Sequence, residues 1–143
     1  MEYDDQDLQS MALCVWKEAR GQFTSGMQAV AHVIKNRVGT AGFAKTIHDV
    51  IYGKNQFTSM SVPTDPEFNL IPPPGDAQFA YCLSLCPQVL GGNDADPTFG
   101  AHYYENAATA TSGWFARVIA GPDGGGTDGH SLTAVIGKQR FYL

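Results

Sequence analysis

Basic residues are scarce in this sequence. Lys and Arg together number 9 against 14 Asp and Glu, which gives a formal net charge of -5 and a pI near 5.1. Proteins that bind nucleic acids normally present a basic face to the phosphates. The composition therefore argues against a nucleic-acid partner.

The sequence also lacks any long hydrophobic run. No stretch approaches the ~20 apolar residues of a membrane span. The chain starts with Met1-Glu2-Tyr3-Asp4-Asp5, which is acidic where a signal peptide would be basic and then apolar. We therefore expect a protein that is made in the cytoplasm, without a signal peptide and without stable membrane association.

Cysteine is too rare for a disulfide scaffold. The 3 cysteines leave an odd count, so we expect reduced and mostly buried thiols at Cys14, Cys82 and Cys86. No pair of residues has the C-x-x-C or H-E-x-x-H spacing of a metal site. The sequence therefore predicts neither a metal nor another cofactor.

Amphipathic patterns run through the first two thirds of the chain. Apolar residues three and four apart predict helices over residues 5–19, 25–38 and 46–52, and a fourth that follows Asp76. The expected N-caps are Asp4 or Asp5, Ser25, Thr46 and Asp76. Pro87 is expected to kink the fourth helix or to end it early. Asn93, Asp94 and Asp96 alternate rather like calcium ligands, but the complete calcium loop is absent and they are interpreted as solvated turn residues.

The character of the chain changes near residue 100. Short β-prone runs follow, at residues 101–105, 114–120, 132–136 and 139–143. They predict a small antiparallel sheet after a helical body, and hence an α+β fold. The glycine-rich stretch 121–131 lacks the Gly-Lys-Ser/Thr ending of a phosphate loop and is interpreted as a hairpin connection. A length of 143 residues suits a single domain spanning 1–143, with no separate second module.

One carboxylate has a conspicuous setting in the first predicted helix. The apolar positions of this helix form one stripe, composed of Leu8, Met11, Ala12, Val15, Trp16 and Ala19. Glu18 lies on the flank of the stripe, so its carboxyl should face apolar walls, an environment that favours the neutral form of a carboxylic acid. Lys17 should point away from the stripe, and Gly21 should end the helix. The alternative is a helix-terminal Glu18 that pairs with Arg20.

Several sequence blocks carry a family resemblance. They are Glu-Ala-Arg-Gly at 18–21, Gly-Met-Gln-Ala-Val-Ala-His-Val-Ile-Lys-Asn-Arg-Val at 26–38, Asn-Gln-Phe-Thr at 55–58, Gly-Ala-His-Tyr-Tyr-Glu-Asn at 100–106, Thr-Ala-Thr-Ser at 109–112 and Ile-Gly-Lys-Gln-Arg-Phe-Tyr at 136–142. Together they resemble the SleB-type cell wall hydrolases, a family of spore-cortex-lytic enzymes and phage endolysin relatives. The departures are Gln22, Glu105 and the insert at 121–131.

The resemblance implies a lysozyme-like fold and a lytic transglycosylase that cleaves the MurNAc-GlcNAc β-1,4 bond of peptidoglycan. In that chemistry one Glu, here Glu18, acts as acid and then as base. The N-acetyl group and the 6-hydroxyl of the substrate replace a second carboxylate and the water. Glutamate is scarce enough to suit this interpretation, since the chain has only Glu2, Glu18, Glu67 and Glu105.

Substrate-binding roles are predicted for six further residues, Gln28, Phe57, Thr58, Tyr103, Tyr104 and Thr111. The amide of Gln28 could face the groove of Glu18, or it could be a solvated residue of the helix start. Phe57 could lie against a sugar face with hydroxyls from Thr58 or Ser59 beside it, or it could be a buried anchor of a surface loop.

The paired tyrosines and the region after them are predicted to border the same groove. Tyr103 and Tyr104 match paired aromatics of the family. Only one of them should face the groove, because alternate strand residues point to opposite sides. Thr111, Ser112 and Trp114 are predicted to line its edge.

Two other functions stay open. Glu105 could act as a second carboxylate beside Glu18, which would make the protein a lysozyme-like muramidase with a hydrolytic product. A non-catalytic module that binds peptidoglycan or belongs to a virion is the alternative of another class.

The expected partner is the peptidoglycan glycan strand, which an acidic protein must bind mainly through a groove with aromatic walls. A phage endolysin that acts as a monomer is the favoured setting. It would reach the wall from the host cytoplasm through a separate pore-forming protein. A spore-cortex enzyme is the other setting.

Overall fold

The computed structural model describes residues 1–107 and 113–143. Its helices are α1 (Asp5–Ala19), α2 (Phe23–Arg37), α3 (Ile47–Tyr52), α4 (Thr58–Ser61), α5 (Ala77–Leu90) and α6 (Gly113–Phe115), and α6 continues into a π-helical turn, Ala116–Ala120. The strands are β1 (Tyr103–Asn106), β2 (Gly126–Thr127), β3 (His130–Ile136) and β4 (Gln139–Tyr142). Within the described ranges, no helix combines the length and the apolar character that crossing a membrane requires.

Helix α1 has the predicted bounds and a complete capping box. The Asp4 carboxylate accepts a hydrogen bond from the backbone N–H of Asp7, and the Asp7 carboxylate accepts one from the backbone N–H of Asp4. Each side chain satisfies an amide that the first turn leaves without a helical partner. The predicted stripe faces the core, where Met11, Val15 and Ala19 are completely buried.

Helix α2 begins two residues earlier than predicted, and the assignment of Ser25 as N-cap is wrong. The N-cap is Gln22, whose side chain makes no capping hydrogen bond. Gly21 and Phe23 both have positive φ angles, of 85° and 59°. These left-handed residues reverse the chain so tightly that Ser25 already lies in the first helical turn.

Helices α3 and α5 begin at the predicted caps. Thr46 accepts from the N–H of Asp49 and Asp76 accepts from the N–H of Phe79. The prediction that Pro87 ends α5 early is wrong, because the helix continues to Leu90 with the proline inside it. The other expected effect, a kink at Pro87, stays a prediction. The last turn of α5 is buried against the rest of the helical body at Val89 and Leu90, and this packing offsets the missing backbone hydrogen bond.

The C-terminal part forms a four-stranded antiparallel sheet in the order β1-β4-β3-β2. Three of the predicted strands are confirmed by β1, β3 and β4. The strand predicted over 114–120 is wrong, since this run is helical. Its apolar residues Trp114, Phe115, Val118 and Ile119 are spaced at i, i+1, i+4 and i+5, which is a helical spacing despite their β-propensity.

Helix α2 joins the helical body to the sheet. One side of α2 contributes Met27, Val30 and Ile34 to a core shared with α1, α3 and α5. The opposite side packs Ala29 and Val33 on Phe141 of the sheet. The helix is therefore buried on two faces, whereas the sequence predicted a single stripe. The three thiols are free and buried, as predicted.

The glycine-rich insert is a tight hairpin between β2 and β3. Gly126 pairs with Ser131 and has a φ angle of 101°. A Cβ atom at this position would lie 2.4 Å from the carbonyl oxygen of His130. Backbone geometry therefore requires glycine here.

We predict that Gly126→Ala lowers the free energy of unfolding by about 2 kcal/mol or more, because the new methyl group meets fixed backbone. Gly129→Ala in the same hairpin is the matched control, since its Cβ would meet nothing within 4 Å. Thermal unfolding followed by circular dichroism measures both. Equal melting temperatures for the two variants would contradict this explanation of the insert.

Candidate active site

A cavity of about 740 Å³ opens where the C-terminal end of α1 meets the sheet. Among the described residues its lining combines one carboxylate, one guanidinium, two amides and six aromatic rings. These residues are Glu18, Arg37, Gly42, Phe43, Asn55, Gln56, Phe57, Tyr103, Tyr104, Trp114 and Phe115.

Glu18 is half-buried in this cavity and both of its oxygens accept hydrogen bonds. The Tyr104 hydroxyl donates to Oε1 over 2.5 Å, and the Ser59 hydroxyl donates to Oε2 over 2.7 Å. The alternative pairing of Glu18 with Arg20 is wrong. Arg20 forms a two-pronged ion pair with Glu67 instead, at 2.5 and 2.8 Å.

Two ionisable neighbours of Glu18 have raised pKa values. Burial, and then the charge of Glu18, raises the pKa of Tyr104 well above its ordinary value of about 10. The same two causes, in the same order, raise the pKa of the completely buried Cys14. Both groups are therefore neutral at physiological pH, so Tyr104 holds its proton and can donate it to the Glu18 carboxylate as a hydrogen bond.

Arg37 is the buried cation of the cavity wall, with 8% of its surface exposed. Its Nε donates to the carbonyl of His102 over 2.7 Å, and Nη1 donates to Oε1 of Gln56 over 3.3 Å. The guanidinium also lies within 6 Å of the ring centres of Phe43, Phe57 and Tyr103. Burial lowers its pKa. Arg37 thus ties three wall segments to the end of α2, a role the sequence analysis missed although Arg37 lies in the resembling block 26–38.

Both predicted tyrosines border the cavity. The expectation that only one would do so is wrong, because both are lining residues. Tyr104 packs into the helical core and touches Glu18. Tyr103 packs on Phe43 with ring centres 5.7 Å apart, and edge-on against His130 at 5.1 Å.

Three other predicted substrate-binding residues have different surroundings. Phe57 lines the cavity but is only 2% exposed, which matches the alternative of a buried anchor. The Thr58 hydroxyl points to Asp65, at 2.6 Å, and Ser59 is the residue that reaches Glu18. Gln28 donates to Asp94 over 2.7 Å and is not part of the cavity wall, so its predicted place in the groove is wrong.

The region after β1 is only partly described. Thr111 and Ser112 lie outside the described residues, so their predicted places at the groove edge stay predictions. Trp114 does line the cavity and is 53% exposed. It is the most solvent-accessible aromatic ring among the described lining residues.

Glu105 belongs to a separate cluster. Its carboxylate accepts a hydrogen bond from the Tyr142 hydroxyl over 2.9 Å and lies 3.5 Å from Arg140. It follows Tyr104 in β1 and is not among the described cavity residues. The geometry therefore gives Glu105 a structural task, fastening β1 to β4.

Within the described residues, no group of three His, Cys, Asp or Glu side chains is arranged to hold a metal. The acidic turn after α5 has internal partners. Asp94 contacts Nε2 of His32 at 2.7 Å and accepts from Gln28. Asp96 accepts from the hydroxyl and amide of Thr98 and from Asn36. Asp94 and Asp96 are therefore turn residues, as interpreted, but they are hydrogen-bonded within the protein and not simply solvated.

Comparison with known proteins identifies the family. Residues 21–121 match the family described as Cell Wall Hydrolase. The chain belongs to this family. The motif resemblance to SleB-type cell wall hydrolases is thereby confirmed. Glu18 lies just before the matched range, so its role depends on the geometry of the cavity.

Curated relatives of this cell wall hydrolase chain include spore cortex-lytic enzymes from three bacteria. The proteins of Halalkalibacterium halodurans and Bacillus cereus are each 38% identical over 112 residues, which cover 78% of this chain and 31% and 39% of those proteins. The Bacillus subtilis protein is 30% identical over 112 residues, covering 78% of this chain and 33% of that protein. The matched part is thus less than half the length of these relatives.

Two solved structures are similar over almost the whole chain. One is the catalytic domain of the germination-specific lytic transglycosylase SleB from Bacillus anthracis, with 32% identity, a TM-score of 0.71, and coverage of 99% of this chain and 97% of that one. The other is the catalytic domain of the Bacillus cereus SleB protein, with 32% identity, a TM-score of 0.72, and coverage of 99% and 93%. The predicted lysozyme-like α+β class is confirmed.

The raised pKa of the half-buried Tyr104 phenol predicts a pH effect on stability. In an unfolded chain a tyrosine ionises near pH 10, whereas the folded protein keeps Tyr104 protonated to higher pH. The folded state then holds more protons than the unfolded state, so this contribution to stability is complete below about pH 10 and is lost as the pH rises further.

Tyr104→Phe removes this titration. We expect the free energy of unfolding to fall less steeply above about pH 10 in the variant than in the wild type. Urea denaturation at about pH 8 and about pH 11 measures both slopes. The buried thiols contribute a similar loss to both proteins, so the difference between the slopes isolates Tyr104. Identical slopes would contradict the raised pKa of Tyr104 in the folded protein.

Proposed function

We propose that this chain is a lytic transglycosylase that cleaves the MurNAc-GlcNAc β-1,4 bond of peptidoglycan, with Glu18 as its single acid and base. The observation that carries the proposal is that Glu18 is the only carboxylate among the described cavity residues. The undescribed residues 108–112 contain no Asp or Glu. One carboxylate suits a reaction in which substrate groups replace the second carboxylate and the water.

The first step needs a proton donor. Glu18 in its acid form protonates the glycosidic oxygen as that bond breaks. The N-acetyl oxygen of MurNAc attacks C1 from the other face and forms an oxazolinium ring. The hydroxyls of Ser59 and Tyr104 can each donate or accept a hydrogen bond, so they can stabilise Glu18 both with and without its proton.

The second step uses the carboxylate left by the first. Glu18 takes the proton from the 6-hydroxyl of the same MurNAc, and the 6-oxygen attacks C1. The bond between C1 and the N-acetyl oxygen breaks, and a 1,6-anhydro ring forms without any water being consumed. Glu18 regains its proton and is ready for the next cycle. The Ser59 and Tyr104 hydroxyls are already hydrogen-bonded to the Glu18 carboxylate, so little reorganisation of the protein is required between the two steps.

Aromatic walls supply most of the proposed glycan affinity. Tyr103, Phe43 and the exposed ring of Trp114 line the cavity and can cover the apolar faces of sugar rings. The amides of Asn55 and Gln56 line it as well and can bond to hydroxyl and acetamido groups. Such contacts do not depend on charge, which suits an acidic protein because electrostatic attraction cannot draw it to an anionic cell wall.

The two alternatives are less well supported. A muramidase needs Glu105 to reach the bond being cleaved, but its carboxylate is engaged by Tyr142 and Arg140. A non-catalytic module would have no need to place a carboxylate between two hydroxyl donors in an open cavity. Measured activity separates this second alternative from the proposal.

The wider biology is also a proposal. We infer that residues 1–143 contain the catalytic domain and act as a monomer on glycan strands. A phage endolysin helped across the membrane by a separate pore-forming protein is the setting the sequence favoured. The relatives named above are spore enzymes, which supports the spore-cortex setting instead.

We predict that Glu18→Gln lowers the rate of peptidoglycan degradation by ~10²-fold or more, since the amide keeps the shape but carries no transferable proton. Glu105→Gln should retain activity within a few-fold at temperatures where it is folded. The turbidity of permeabilised cells measures the rate, and melting temperatures confirm folding. A wild-type rate for Glu18→Gln, or an inactive but folded Glu105→Gln, would contradict the assignment.

A further inference from the structure

The segment 58–68 lies across α1 and is held there by two cations. Arg20 pairs with Glu67 at 2.5 Å. Lys17, one turn earlier, donates from Nζ to the carbonyl oxygens of Ser59 over 3.1 Å and of Phe68 over 2.8 Å. The sequence analysis places Lys17 away from the core stripe. In the structure its side chain is covered by this segment and is only 8% exposed.

Ser59 is held at both its backbone and its side chain by consecutive residues of α1. Lys17 binds the carbonyl oxygen of Ser59, and Glu18 accepts the hydroxyl hydrogen at 2.7 Å. Ser59 is 1% exposed. Because the carbonyl and the side chain belong to the same residue, fixing the first restricts where the second can point.

Helix α4 cannot fix Ser59 by itself. It has 4 residues, and its N-cap Phe57 makes no side-chain capping hydrogen bond. Such a short helix has no independent stability. Hydrogen bonds from an ammonium group are stronger than those between neutral groups. The ammonium group that binds the Ser59 carbonyl belongs to a buried side chain, and this burial lowers the pKa of Lys17.

We propose that Lys17 is a positioning residue that acts on Glu18 through Ser59. This inference rests on the proposed function, and it adds a residue that does not touch substrate, since Lys17 is not among the described cavity residues. Its loss should therefore slow the chemical step while leaving substrate binding nearly unchanged.

A double-mutant cycle tests the proposal. The variants are Lys17→Met, Ser59→Ala and the combination, assayed on soluble glycan strands. Lys17→Met should lower kcat by about 10-fold with KM almost unchanged. In the Ser59→Ala background the same change should cost little more, because the hydroxyl that Lys17 positions is already gone.

Two controls separate positioning from general stability. Lys35→Met removes another lysine whose Nζ donates to a backbone carbonyl, that of Val89 at 2.9 Å, away from the cavity. It should leave kcat unchanged. Lys17→Gln keeps a hydrogen-bond donor without the charge. If Lys17→Met does not unfold cooperatively, Lys17→Gln replaces it in the cycle.

A second readout does not require activity. The ¹³C chemical shift of the Glu18 side-chain carboxyl should change on Ser59→Ala, and Lys17→Met should move it in the same direction. An inactive wild type with these shifts would overturn the proposed function but support the placement of Ser59 by Lys17. Each of three results would overturn the inference. They are an unchanged kcat for Lys17→Met, a loss of kcat from Lys17→Met that is equally large in the Ser59→Ala background, and a Glu18 carboxyl shift that does not change in Lys17→Met.

Discussion

Two hydrogen bonds to the Glu18 carboxylate are the interaction on which the candidate active site depends. Glu18 comes from the last turn of α1, Ser59 from α4 and Tyr104 from β1. Three segments that are distant along the chain must therefore keep their relative positions for both hydrogen bonds to form. A half-buried carboxylate without these donors would lose solvation by water and gain nothing in exchange.

Buried positive charge maintains this arrangement in a chain with few basic residues. Lys17 and Arg37 are the two buried cations among the described residues, each 8% exposed, and both bind backbone carbonyls next to the cavity. Carbonyl oxygens accept hydrogen bonds from the ammonium and guanidinium groups, so neither cation needs a carboxylate partner at the cavity. The cavity consequently keeps a single acidic group among its described residues, which is the condition for the proposed one-carboxylate mechanism.

Much of this could be predicted from local sequence. Periodicity and capping residues predicted α1, α3 and the start of α5, because these features depend on neighbours within a few residues. Periodicity placed Glu18 on the flank of the apolar stripe, and the family resemblance singled it out as the catalytic residue. The role of Ser59 and the burial of Lys17 depend on contacts across more than 40 residues. The wall formed by Arg37 depends on contacts with Gln56 and His102, which are 19 and 65 residues away. The predicted place of Gln28 in the groove was wrong for the same reason, because the position of its side chain depends on Asp94, which lies in a distant turn. The strand predicted over 114–120 was wrong because the β-propensity of these residues was given more weight than their helical spacing.

Mass spectrometry of the muropeptides released from purified peptidoglycan tests most directly whether Glu18 acts as the only carboxylate. The single-carboxylate geometry predicts products that end in 1,6-anhydro-muramic acid and are lighter by one water than hydrolytic products. Products with reducing ends alone would contradict it, because they would require an activated water and therefore a second catalytic group at the cavity.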